Sequence, residues 1–73
     1  MADLREGGMD DGGSFVEFIV EGSRDQGWVY RLVGEELVQI ETFSGDYNVT
    51  HWVKRGAIRH VFTAAEIAEA MRP

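Results

Sequence analysis

At 73 residues and 44% apolar content, the chain has room for one domain and enough apolar side chains to fold it. The absence of cysteine removes disulfides, thiolate nucleophiles and thiolate metal sites together. The net charge of −6 is uneven: residues 1–50 set eleven carboxylates against three arginines, whereas residues 51–73 set Lys54, Arg55, Arg59 and Arg72 against Glu66 and Glu69. An acidic body of this kind disfavours nucleic acid and favours basic partner surfaces.

In chain order, Met1–Gly13 carries four of the nine glycines and no aromatic residue, and is expected to be a flexible acidic tail ahead of one domain over residues 14–73. Ser14–Glu21 reads as a strand with an apolar face of Val16, Phe18 and Val20 and a mixed face of Phe15, Glu17, Ile19 and Glu21. Gly22–Gly27 reads as a turn. Trp28–Val33 and Leu37–Phe43 read as a hairpin around Gly34–Glu36. Its faces match if Leu32 lies opposite Val38 and Tyr30 opposite Ile40, which requires an odd-numbered loop and buries Trp28, Tyr30 and Leu32 together.

After a break at Ser44–Asn48, Tyr47–Lys54 is expected to be a strand on its composition, although Asn48 could instead cap a short helix. Arg55–Gly56 reads as a turn or bulge, and Ala57–Phe62 as a last strand with Ile58, His60 and Phe62 on one face. Thr63-Ala64-Ala65-Glu66 is a capping box, with Phe62 and Ile67 at staple positions. Ala64, Ile67, Ala68 and Met71 form a stripe able to cover a sheet face, and Pro73 stops the helix. The expected fold is therefore α+β: a small antiparallel sheet of four to five strands with one C-terminal helix packed across its apolar face.

No nucleophile pattern accompanies His51 and His60, and no glycine-rich phosphate loop is present, so the chain is expected to be a non-enzyme without cofactor. Asp46, His51 and His60 are the one set that could form a cross-strand metal site, but their spacing is not a metal-ligand motif, and none is expected. No apolar run approaches the length of a membrane span, so a cytoplasmic protein is expected.

Two features point outward. The acidic residues Glu17, Glu35, Glu36, Glu41 and Asp46, with Glu21 and Asp25, would give a sheet a negative outer surface able to imitate a phosphate track. In size and charge the chain resembles small acidic phage-type inhibitors of bacterial defence systems, such as anti-CRISPR proteins. That resemblance implies an inhibitor of a basic nucleic-acid-handling protein, with Trp28, Tyr47 and Trp52 as aromatic anchors. Second, His51, Trp52, Lys54, Arg55 and Arg59 interleave an aromatic with basic groups, as single-stranded nucleic acid requires. Four strands followed by a helix is also the chain order of the dimeric single-strand-binding transcription coactivators. The apolar residues on the mixed faces allow a homodimer as a further alternative.

Overall fold

The computed structural model describes residues 3–72; Met1, Ala2 and the expected helix stop Pro73 lie outside the described residues. The expected sheet and C-terminal helix are both present: β1 (Phe15–Val20), β2 (Ser23–Val33), β3 (Leu37–Ser44), β4 (Tyr47–Lys54), a 3-10 turn (Arg55–Ala57), β5 (Ile58–Val61) and α1 (Ala64–Ala70). The strands form one antiparallel sheet in the order β4-β3-β2-β1-β5. Residues 47–54 form a strand, not a helix.

The sheet covers its own apolar face by curling. In a flat sheet the outer strands β4 and β5 would lie about 19 Å apart. The three-residue turn between them cannot bridge more than about 14 Å. Accordingly, the ring of His51 in β4 reaches that of Phe18 in β1, three strands away in the sheet order, with centroids 5.5 Å apart. Inside the curl lie Val16, Phe18, Val29, Val38, Ile40, Val53 and Ile58, with Leu4 beside them. Gly27 permits the curvature. A methyl group there would stand 2.6 Å from the carbonyl oxygen of Glu41 and 2.7 Å from Ile40 Cγ2.

Two bulges move residues away from the faces that strict alternation assigns. Leu32 pairs with Val38 and the Gly34–Glu36 loop has three residues, as expected, but the register shifts between Val29 and Arg31. Val29, not Tyr30, therefore sits opposite Ile40, and Tyr30 is turned out. Trp28, expected in the core with Leu32, lies on the outer face opposite Glu41. A second shift, where β5 meets β1, puts Ile58 in the core and leaves His60 opposite Glu17. An inserted residue flips every side chain beyond it, and that is the reason for both corrections. The expected turn at Gly22–Gly27 is mostly strand, because Glu21 and Gly22 both take positive φ and close a two-residue hairpin.

Residues 3–13, which composition marks as a tail, occupy a defined place. β2 has eleven residues against six in β1, so its second half would be an open edge. The N-terminal segment fills that gap: Gly8 N–H donates to Val29 O at 2.8 Å, Gly7 N–H to Tyr30 O at 3.1 Å, and Leu32 N–H to Glu6 Oε1 at 2.9 Å. Gly13 is fixed against this edge, where a Cβ would lie 2.5 Å from both Gly8 N and Val29 O.

The helix forms with the expected capping box: Thr63 Oγ1 accepts from Glu66 N–H at 3.1 Å, and Glu66 Oε1 from Thr63 N–H at 3.0 Å. Its stripe does not roof the core, since none of its seven residues is buried. Two turns span only about 10 Å, too little to cross five strands. Ile67 instead shares a cleft on the other face with Phe15, Trp28 and Phe62, whose rings pack at 4.8 Å (Phe15–Trp28) and 5.1 Å (Phe15–Phe62). His60 Nε2 meets Glu66 Oε2 at 2.8 Å and ties the helix start to β5.

Gly27→Ala is expected to destabilise the protein by about 1–3 kcal/mol through overpacking, read as a lower urea midpoint. Leu4→Ala should cost about 2 kcal/mol or more in the same measurement if residues 3–13 complete the core. An unchanged midpoint would place Leu4 outside it. The Thr63 backbone amide first, and then the His60 side chain, hold the Glu66 carboxyl below the usual glutamate range. A lowered folded-state value contributes stability above the unfolded pKa that is lost as pH falls through the folded one. Glu66→Gln should therefore flatten part of the acid limb of a stability–pH profile, and an identical limb would show that the carboxylate contributes nothing.

Candidate functional site

The inner face of the sheet is closed, so any surface for binding lies on the outer face or the strand edges. On the outer face, the rings of Phe15, Trp28 and Phe62 pack beside α1 where the start of β1 meets the middle of β2, whereas Ser23–Gln26 of β2 are exposed. Among the described residues nothing comparable covers the part formed by β3, β4 and the second half of β2. Alternation along β3 sends Leu37, Gln39, Glu41 and Phe43 outward, and along β4 Asn48, Thr50, Trp52 and Lys54. Phe43 is 49% exposed, Trp52 55%, and the bulge adds Tyr30 at 43%.

The N-terminal segment forms one wall of this surface. Held by its bonds to β2, it places Gly7, Gly8, Met9 and Asp10 beside Tyr30, Glu41, Phe43 and Asn48, and together these residues line one groove. Glu6 and Asp11 flank a neighbouring depression with Tyr30 and Arg31. The result is an aromatic and thioether floor of Tyr30, Phe43 and Met9 walled by carboxylates. Apolar groups there gain by leaving water, and the carboxylates favour a cationic partner. Among the described residues no buried side-chain polar atom lacks a partner, so no orphaned group points to a concealed polar site.

The residues expected to bind a partner do not form one patch. Glu41 is in the groove. Glu17 lies on β1 and is held by Arg24 at 3.4 Å. Glu35 and Glu36 sit in the β2–β3 turn, where their main-chain oxygens accept from Arg55 Nε at 3.2 Å and Arg55 N–H at 2.6 Å. Asp46 is in the β3–β4 turn, away from them by the length of β3, about 25 Å. Of the aromatic candidates, Trp52 and Tyr47 are exposed, at 55% and 75%, whereas Trp28 is half-buried against Phe15.

The basic and aromatic set is also divided. His51 turns inward to Phe18, with Asp25 Oδ2 3.9 Å from its Nε2, while Trp52 and Lys54 face outward. Arg55 is engaged by Glu35, and Arg59 Nη1 donates to Gly56 O at 3.0 Å on β5. His51 and His60 lie on opposite faces, and among the described residues no group of three or more His, Asp or Glu side chains converges as metal ligands.

Tyr30, Phe43, Met9 and Asp10 are the residues that sequence reasoning missed. Phe43 was legible as the outward partner of Glu41 in the alternation of β3. Tyr30 was hidden by the bulge, and Met9 and Asp10 by the assignment of their segment to a tail. Among the described residues no helix is long and apolar enough to cross a membrane. Comparison with protein-family models, curated proteins and solved structures yields no match to this chain.

Proposed function

We propose that the protein is a non-catalytic binding module that docks the uncovered outer face of β2, β3 and β4 onto a basic protein surface. One observation carries this reading: Met9, Tyr30 and Phe43 line a groove together with Asp10 and Glu41. Exposed apolar groups ringed by charge are the composition of an association site. Aromatic side chains supply most of the affinity at such sites, and carboxylates set encounter rate and partner choice. Occupying a surface that otherwise takes a phosphate backbone would make the module an inhibitor of a nucleic-acid-handling protein. The net charge of −6 supports that form over direct binding of nucleic acid.

The test uses immobilised protein and the heparin-binding fraction of a cell lysate. Wild type should retain basic proteins at low salt and release them as salt rises. Phe43→Ser with Glu41→Lys, on a fold verified by circular dichroism, should weaken retention by about tenfold or more. Equal retention by the double variant would overturn the reading. A titration of tryptophan fluorescence with single-stranded DNA and RNA provides the second arm, and saturable, salt-sensitive quenching there would replace a protein partner with nucleic acid.

A further inference from the structure

The two edges of the sheet are unequal. β5 is a four-residue strand with a shifted register, followed at once by the helix. β4 is eight residues long, regular in register throughout, and contains no proline. Short, bulged edges are protected against further pairing, whereas long regular ones are templates for it.

The hydrogen-bonding phase of β4 follows from its turn. A two-residue connection, Gly45–Asp46, makes Ser44 and Tyr47 the closing hydrogen-bonded pair. Bonded and non-bonded pairs then alternate, so Tyr47, Val49, His51 and Val53 direct their backbone groups toward β3. Two contacts hold the same phase: Val49 O accepts from Thr42 Oγ1 at 3.4 Å, and Arg55 N–H donates to Glu36 O at 2.6 Å. The N–H and C=O groups of Asn48, Thr50, Trp52 and Lys54 therefore point off the sheet.

We infer that β4 pairs antiparallel with β4 of a second copy of this chain, about a two-fold axis at Thr50. In that register Thr50 faces Thr50, Asn48 faces Trp52, and Asp46 faces Lys54 of the other copy. All the facing residues belong to the outward-bonding set or continue its phase, so the ladder is made without a further bulge. Opposite charges meet at both ends, and directly opposed pairs of this kind stabilise a sheet. Moving the axis by one residue in either direction separates Asp46 from Lys54. Symmetry makes the contact isologous and closed, so it ends at a dimer. The Thr50-centred register also brings each Trp52 beside Asn48 of the other copy, at the rim of the groove, so two binding faces become one surface.

Sedimentation over a range of concentrations tests this pairing. The wild-type mass should rise from 8.2 kDa toward twice that value. Thr50→Pro removes an N–H that the monomer ladder does not use, which an edge strand tolerates, and should leave a folded monomer. Lys54→Asp sets like charges opposite each other twice and should weaken association about tenfold. Asp46→Lys combined with Lys54→Asp restores the opposition and should recover the dimer. A wild-type chain that stays at 8.2 kDa, a Thr50→Pro chain that associates as well as wild type, or a charge swap that fails to rescue would each overturn the inference.

Discussion

At Gly27 the backbone of β2 crosses β3 so closely that a single added carbon would strike a main-chain oxygen. The rest of the molecule follows from that approach. Among the described residues the one α-helix has seven residues, too few to lie across five strands, and the interior comes from bending the sheet on itself. Once bent, the inner face is closed by its own strands, and the short helix is free to serve the opposite side, where it covers the packed rings of Phe15, Trp28 and Phe62. Cover ends there. Among the described residues the outer face of β2, β3 and β4 stays open, with Tyr30, Phe43 and Trp52 exposed, and the groove beside Tyr30 and Phe43 lies on this open face.

The period-two pattern of Val16, Phe18 and Val20, and of Val38, Ile40 and Thr42, located the inner face of two strands correctly, since no bulge interrupts either run within itself. The capping box was equally legible, because it depends on residues three apart whose bonds are local. Bulges are different. Nothing in Trp28–Val33 announces that Tyr30 is an extra residue; its cause is the long-range fit of β2 to β3 on one side and to the N-terminal segment on the other. The same holds for residues 3–13. Glycine-rich composition signals backbone freedom, yet here glycine also lets amides approach Val29 O and Tyr30 O closely enough to bond. One leucine, Leu4, then suffices to anchor the segment in the core.

For the surface, residue type was legible and neighbourhood was not. Trp52 and Tyr47 are exposed as partner-binding aromatics would be, whereas Trp28 has the same chemistry and is half-buried. Counting carboxylates suggested one acidic face, but Glu35 and Asp46 are at opposite ends of β3. The carboxylates that do gather near exposed aromatics, Asp10 and Glu41, come from segments thirty residues apart that only the fold brings together.

The order of the sheet has a temporal side. β1 is an interior strand, yet one of its two neighbours is β5, the last strand in the chain. While the polypeptide is being made, β1, β2, β3 and β4 can pair successively through short turns, but β1 keeps one bare edge next to Val16 and Phe18 until residues 58–61 have followed. Contacts between distant parts of a chain form slowly, and unpaired edges in the interval invite pairing with other molecules. The C-terminal quarter thus acts as a closing stitch. A chain interrupted before Ile58 would carry nearly all of its core residues and still present an open interior strand to whatever it met.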